Sequence, residues 1–66
     1  MLTEQEMMNN AFKEMLMHEE SIAKKYAQLS EQITDPQIQQ TIKGMEQGAR
    51  HHYSTLSQAM SKQGIV

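Results

Sequence analysis

The chain has 66 residues, no cysteine and a formal net charge of −2. This length suffices for one small domain, and the absence of cysteine excludes disulfides and thiolate metal sites. The weak negative charge and the single basic doublet, Lys24–Lys25, argue against a nucleic-acid or membrane surface. No apolar run reaches the ~20 residues of a membrane span, and the first ten residues lack the features of a signal peptide. We therefore expect a cytoplasmic protein.

The first predicted helix spans about residues 3–33 and begins with a capping box. Thr3 stands three residues before Glu6, so the Thr3 hydroxyl can accept from the Glu6 amide while the Glu6 carboxylate accepts from the Thr3 amide. The helix contains no glycine or proline, and good helix formers dominate it. Glu20 and Lys24, four residues apart, should form a favourable pair on its outer, solvated face.

The segment Thr34–Pro36 ends this helix and starts a second, predicted over about residues 36–62. Asp35 is a good N-cap, and Pro36 suits the first helical position because the amide hydrogen that proline lacks would be unpaired there. Such a short connection makes the two helices antiparallel neighbours. Gly64 is expected to end the second helix.

Both helices carry a seam, a row of mostly apolar residues at alternating steps of four and three, which lets one side of a helix face a partner continuously. In the first helix the seam residues are Met8, Phe12, Met15, Glu19, Ile22, Tyr26, Leu29 and Ile33. In the second helix they are Ile38, Ile42, Met45, Ala49, His52, Leu56, Ala59 and Gln63. Each seam has one strongly polar interior residue, Glu19 in the first and His52 in the second.

Folding the chain back at the turn, so that the seams face each other in order, pairs Glu19 with His52. A carboxylate is rarely buried without a partner, because its desolvation costs several kcal/mol. We therefore expect a hydrogen-bonded or ion-paired layer that fixes the register of the helices. The adjacent small residues Gly48 and Ala49 would let another helix, or the bulky Tyr26, come close to this layer.

The apolar stripe is wider than the seam of a two-stranded coil. The flanking residues that widen it are Ala11, Leu16, Ala23, Tyr53 and Met60. A lone hairpin of two helices would be marginally stable, and without disulfides the obvious remedy is oligomerisation. We predict an all-α fold in which residues 1–66 form one antiparallel helical hairpin that homodimerises into a four-helix bundle.

Glu19 and His52 could instead bind a metal ion. Four-helix bundles build metal sites from inward carboxylates and from Glu-x-x-His on one helix face. Here Ala49 stands three residues before His52, so each hairpin offers two ligands, and a two-fold dimer would gather four around one zinc-like tetrahedral ion. Glu46 and His51 are weaker candidate ligands. No nucleophile, oxyanion donor or cofactor motif is visible, so we predict no catalytic residue and favour the structural layer over the metal site.

Several features occur together along the chain. They are the opening Met1–Glu6, Glu19 followed at seven by Tyr26, the Thr34–Pro36 break, His52–Tyr53 and the closing Met60–Gly64. Over nearly its whole length the chain thereby resembles the ferritin-like superfamily and, within it, the small spore coat protein F family of spore-forming bacteria. The spacing of Glu19 and Tyr26 is also similar to the first helix of rubrerythrin-type di-iron domains.

The resemblance to the coat family implies a ferritin-like bundle and a non-catalytic structural or assembly protein. It would be made in the mother cell or forespore and would have other spore coat proteins as partners. The likeness to rubrerythrin implies that Glu19 is a ligand glutamate, Tyr26 its supporting tyrosine and His52 a ligand histidine, with zinc or iron as the ion. A third alternative is a degenerate di-iron oxidase or peroxidase, which Ala49 disfavours because the ligand glutamate is missing there.

Overall fold

The computed structural model describes residues 1–64 and contains two long α-helices that pack against each other. Helix α1 spans Glu4–Gln32 and helix α2 spans Pro36–Gln63, so three residues connect them. The observed helix ends lie within one residue of the predicted ones, and the described residues contain no strand. Ile65 and Val66, which the predicted domain includes, lie outside the described residues. Neither helix within residues 1–64 combines the length and the apolarity that crossing a membrane requires.

The start of α1 is the capping box that the sequence predicts. The Glu6 amide donates to the Thr3 hydroxyl at 3.1 Å, and the Thr3 amide donates to a Glu6 carboxylate oxygen at 3.2 Å. Two amides at the helix start thus have partners, and Glu4 and Glu6 place negative charge at the positive end of the helix dipole.

The predicted start and end of α2 are also confirmed. Asp35 Oδ1 accepts hydrogen bonds from the amides of Gln37, at 3.0 Å, and Ile38, at 3.2 Å, and Pro36 occupies the first turn. At the other end Gly64 adopts a left-handed conformation with φ of 70°, which glycine reaches without steric penalty. Its amide donates to the carbonyls of Met60 and Ser61, which ends the helix.

A side chain that the sequence did not single out ties the helices together at the turn. Gln39 Nε2 of α2 donates to the backbone carbonyl of Ser30 in α1 at 2.8 Å. Ser30 itself is buried, and its hydroxyl donates to the carbonyl of Ala27 at 2.9 Å. The turn end of the hairpin is therefore held by a direct hydrogen bond between helices as well as by the Asp35 cap.

The hairpin is a single layer of two helices. Its extents are 50, 22 and 13 Å, and the smallest is close to the ~10–12 Å diameter of one helix with its side chains. The buried residues within 1–64 form a narrow line between the helices. They are Ala23 and Ser30 of α1 and Ile42 and Ala49 of α2. Such a line leaves both broad faces of the hairpin uncovered.

The contact between the helices does not follow the middle of the predicted seam. On α1 the most buried residues, Ala23 and Ser30, lie beside the seam, and Ala23 is only 2% exposed. On α2 the buried residues, Ile42 and Ala49, do belong to it. Small side chains let helices approach closely, so the helices turn their small residues toward each other and the longer seam side chains are displaced to one side.

The displaced residues form one broad face of the hairpin, which we call the seam face. They are every second member of each seam, so they recur every seven residues along one side of their helix. On α1 they are Met8, Met15, Ile22 and Leu29, and on α2 they are Ile38, Met45, His52 and Ala59. Four of them, Met15, Leu29, Ile38 and Met45, are large apolar residues between 43% and 51% exposed. Of the sixteen seam residues, ten are buried or half-buried in the hairpin and six are exposed: Met15, Leu29, Ile38, Met45, His52 and Gln63.

Candidate functional site

Glu19 and His52 meet across the two helices. Glu19 Oε2 lies 3.5 Å from His52 Nδ1, which confirms the register predicted from the two polar exceptions. The Glu19 side chain is 21% exposed and the His52 side chain 65% exposed. The carboxylate therefore sits at the floor of the seam face, between the helices, and the imidazole lies over it at the surface.

The pair lies close to the middle of the hairpin. His18 is the central residue of α1, so Glu19 is one residue from its midpoint. The midpoint of α2 falls between Ala49 and Arg50, two to three residues from His52. With a rise of ~1.5 Å per residue, both side chains originate within ~4 Å of the midpoint of the long axis. Any two-fold axis through the centre of the seam face would therefore bring two copies of the pair close together.

The pair also separates two grooves on the seam face. The first groove, of about 700 Å³, is lined beyond the pair by Glu14, Met15, His18, Thr55 and Leu56. The second, of about 380 Å³, is lined beyond the pair by Ile22, Tyr26, Met45, Gly48 and Ala49. Seam residues that the predicted register pairs line the same grooves, such as Met15 with Leu56. The site is thus one polar contact between two largely apolar depressions.

The two weaker candidate ligands do not join the pair. Glu46 Oε2 accepts from Arg50 Nε of the same helix at 2.8 Å, so its carboxylate is engaged there. His51 is exposed, and its ring centroid lies 6.5 Å from that of His52. Across residues 1–64, no three histidine, aspartate or glutamate side chains converge on a point where they could hold a metal ion.

The geometry of the pair is compatible with two arrangements. The acid and the imidazole can contact each other directly, or both can coordinate one metal ion. Two ligands at ~2.0–2.1 Å from a tetrahedral zinc lie about 3.4 Å apart, close to the observed separation of Glu19 and His52. One hairpin supplies only these two ligands. An iron pair would need more carboxylates, and Ala49 stands where a Glu-x-x-His motif would place one. Among residues 1–64, one hairpin therefore offers two of the four ligands of a tetrahedral ion, and its residues do not fit a di-iron centre.

Gly48 and Ala49, the small residues that the sequence places beside the pair, differ in their burial. Ala49 is buried, at 4% exposed, and lines the helix contact. Gly48 borders the second groove, and a Cβ atom built there would meet nothing within 4 Å. Within one hairpin no close approach therefore requires glycine at position 48, and Tyr26 does not use this space.

The sequence places Ala23 only at the flank of the apolar stripe and does not single out Ser30, although both are buried in the helix contact. Ala23 and Ser30 are seven residues apart on one side of the helix, and that spacing was the available signal. The larger apolar residues of the seam define a clearer period, which obscures this signal.

Comparison with known proteins does not assign the chain to a family. No protein-family model, curated protein or solved structure matches the chain. The resemblance to the coat family therefore stays a prediction that depends on the motifs quoted above.

Proposed function

We propose that this chain is a non-catalytic assembly protein whose hairpin pairs with a second copy through the seam face. The product is a ferritin-like four-helix bundle that serves as a structural subunit of the spore coat type. The observation that carries the pairing is an open, mostly apolar face along the whole hairpin. The coat role is supported by the resemblance to spore coat protein F alone.

The surface area of the hairpin supports a second copy as the occupant of this face. A compact monomer of 7.6 kDa would expose about 4,300 Å², whereas the hairpin exposes 5241 Å². The excess, about 900 Å², is similar to the ~800 Å² that each partner contributes to an interface of standard size. A second hairpin would cover an area of this size.

The single-layer architecture of the hairpin also supports a second copy as the partner that covers the seam face. Stable domains bury the apolar side of each layer against a second layer, and this hairpin has only one. A second copy packed on the seam face would double the 13 Å thickness and keep the length and width unchanged. The resulting dimensions are those of a four-helix bundle. The chain supplies no further helix that could take this place within residues 1–64.

The seam face is suited to pairing with itself. Seven of the eight residues that define it are apolar. Its polar side chains are His52, Glu19 at the floor, and Glu14, His18 and Thr55 along the first groove. A two-fold interface uses the same patch on both subunits, so a mostly apolar patch can cover a second copy of itself. Gly48 leaves open space beside the second groove, which a side chain of the partner could fill.

Pairing would enclose the polar contact. Two Glu19 carboxylates and two His52 imidazoles would form one layer at the centre of the bundle, with each acid beside an imidazole. Such a layer adds little net stability, since desolvation offsets the attraction, but it penalises any shifted register that leaves a charge unpaired. The role assigned to the pair is therefore to fix how the two hairpins align.

Sedimentation equilibrium tests the pairing with two matched variants in the same helix. Met15 lies on the seam face, whereas Met17, which is 69% exposed, projects from nearly the opposite side of α1. We expect the wild type and Met17→Asp to have twice the chain mass and Met15→Asp to dissociate. Equal dissociation of both variants, or a wild type that stays a folded monomer, would reject the pairing.

The coat role requires a separate experiment in sporulating cells. A fluorescent fusion of the wild type or of Met17→Asp should gather around the forespore, whereas Met15→Asp should stay diffuse. A wild-type fusion that remains diffuse throughout sporulation would reject the coat role and leave the dimer unaffected.

The 3.5 Å separation of Glu19 and His52 favours one second candidate, a metal-binding bundle. Two copies of the pair would supply two carboxylates and two imidazoles to one zinc or iron ion. Elemental analysis of protein purified without a histidine tag should then find one metal per dimer in the wild type and none in Glu19→Ala or His52→Ala. Metal-free wild-type dimers would reject this candidate. Iron accompanied by peroxidase activity would support the di-iron alternative instead.

A further inference from the structure

Three methionines lie on the seam face: Met8, which is half-buried near one end of the face, and Met15 and Met45, which lie in the two grooves beside the polar pair. Met15 lines the first groove and is 43% exposed, and Met45 lines the second and is 49% exposed. In the free hairpin both thioethers are open to solvent. In the proposed dimer both would be covered near the centre of the interface.

We propose that Met15 and Met45 are oxidation sites through which a peroxide controls the pairing of the hairpins. The inference depends on the proposed dimer, since it concerns the same face. The thioether sulfur attacks one oxygen of hydrogen peroxide, the O–O bond breaks, and a methionine sulfoxide and one water form. The sulfur loses two electrons and the peroxide gains them, so no further reactant is needed.

Oxidation changes the character of the face at its centre. A sulfoxide carries a strong hydrogen-bond acceptor where the thioether was apolar, and oxidised methionines disrupt interfaces rich in this residue. Around Met45 the groove is formed largely by Ile22, Tyr26 and Ala49. Covering a sulfoxide there removes water from a strong acceptor in a groove whose surface is mostly apolar.

The effect is multiplied by the symmetry of the dimer. Each hairpin contributes two oxidised residues, so four sulfoxides would meet in one interface. Each buried sulfoxide should weaken pairing several-fold, so the four together should raise the dimer dissociation constant by roughly a thousandfold. Oxidation would take place on the free hairpin, where the sulfurs are accessible, and would therefore draw the equilibrium toward monomers.

Other exposed methionines provide the matched control. Met7, at 53% exposed, and Met17, at 69% exposed, lie outside both seams. Met17 projects from nearly the opposite side of α1 to Met15, so it remains in solvent whether or not the hairpins pair and its oxidation should leave pairing unchanged. Met7 lies seven residues before Glu14, at the rim of the first groove, so Met17 is the stricter control. The switch is thus assigned to position on the face and not to the methionine content of the chain.

The experiment uses the full chain before and after hydrogen peroxide, with oxidation counted by intact mass and the dimer followed by sedimentation equilibrium. Leucine replaces methionine with little change of volume, so Met15→Leu/Met45→Leu should still pair. We expect peroxide to dissociate the wild type and Met7→Leu/Met17→Leu, and to leave Met15→Leu/Met45→Leu paired. Treatment with methionine sulfoxide reductases should restore the wild-type dimer.

The outcomes separate this inference from the dimer on which it depends. A wild type that pairs equally well when fully oxidised would overturn the switch and leave the dimer in place. Equal loss of pairing in Met15→Leu/Met45→Leu would also overturn it. A wild type that never pairs before treatment would overturn both proposals.

Discussion

The carboxylate of Glu19 and the imidazole of His52 lie 3.5 Å apart across the hairpin, at the middle of its long axis. They are the strongly polar interior residues of two mostly apolar seams, and the surrounding seam face is open to solvent. If a second hairpin covers that face, this contact becomes a central polar layer. If none does, it remains an ordinary surface contact, and the two situations differ measurably.

A double-mutant cycle distinguishes these situations. Exposed ion pairs couple by ~0.2–1 kcal/mol, whereas enclosed contacting residues couple by up to ~3 kcal/mol. We expect Glu19→Gln and His52→Gln to show a coupling above ~1.5 kcal/mol in urea unfolding at fixed protein concentration. The Glu20–Lys24 pair, at 3.2 Å with side chains 50% and 68% exposed, is the matched control and should couple by a few tenths. Equal coupling in both pairs would place Glu19 and His52 in solvent.

Alanine substitutions at the two internal glycines of α2 test whether a second copy packs on the seam face. A Cβ atom built at Gly44 or Gly48 meets nothing within 4 Å in the hairpin, so alanine should stabilise both positions equally there, by ~0.5–1 kcal/mol. Only Gly48 borders a groove of the seam face. We expect Gly44→Ala to raise the melting temperature and Gly48→Ala to raise it less or lower it, because a second copy would meet the new methyl group. Identical gains would indicate that nothing packs at Gly48.

The cap at the turn should contribute measurably to stability. Asp35 Oδ1 accepts from two amides at the start of α2, and its removal leaves both without that partner. We expect Asp35→Ala to lower the free energy of unfolding by ~1 kcal/mol, measured in urea. Asparagine keeps a capping oxygen, so Asp35→Asn should lose less than half of that amount. An alanine variant as stable as the wild type would show that the cap is dispensable.

The hydrogen bond from Gln39 to the Ser30 carbonyl should stabilise the turn end of the hairpin. We expect Gln39→Ala to cost ~1 kcal/mol, since the buried carbonyl loses a partner. Gln40→Ala is the control, because Gln40 is the exposed neighbour on the same helix. Thermal unfolding of both variants at one concentration gives the comparison. Equal losses would assign the effect to helix propensity and not to this bond.

The helix ends and the register could be predicted because they depend on short-range rules. Thr3, Asp35 and Gly64 each act on backbone groups within a few residues, so their positions in the sequence already define the caps. The pairing of Glu19 with His52 follows from the turn and the seam period, since a short connection leaves little freedom in register.

The side of each helix that forms the contact could not be predicted in the same way. The seam period shows where the apolar stripe lies, but the stripe is wider than one contact. Within one hairpin, close approach at Ala23 and Ala49 competes with burial of long side chains such as Met15 and Met45. Ala23, Ser30 and Ala49 occupy that contact together with Ile42. The long side chains are left on the face that we propose a second copy covers, and a single chain contains no direct signal for that copy.

The most direct measurement of this pairing is an isotope-filtered nuclear Overhauser experiment on an equal mixture of labelled and unlabelled chains. It detects only protons that are close together in different copies. We predict contacts from the methyl groups of Met15 and Met45 to side chains of the other copy, and none from Met17. A folded hairpin that shows no such contact from Met15 or Met45 would contradict the paired bundle.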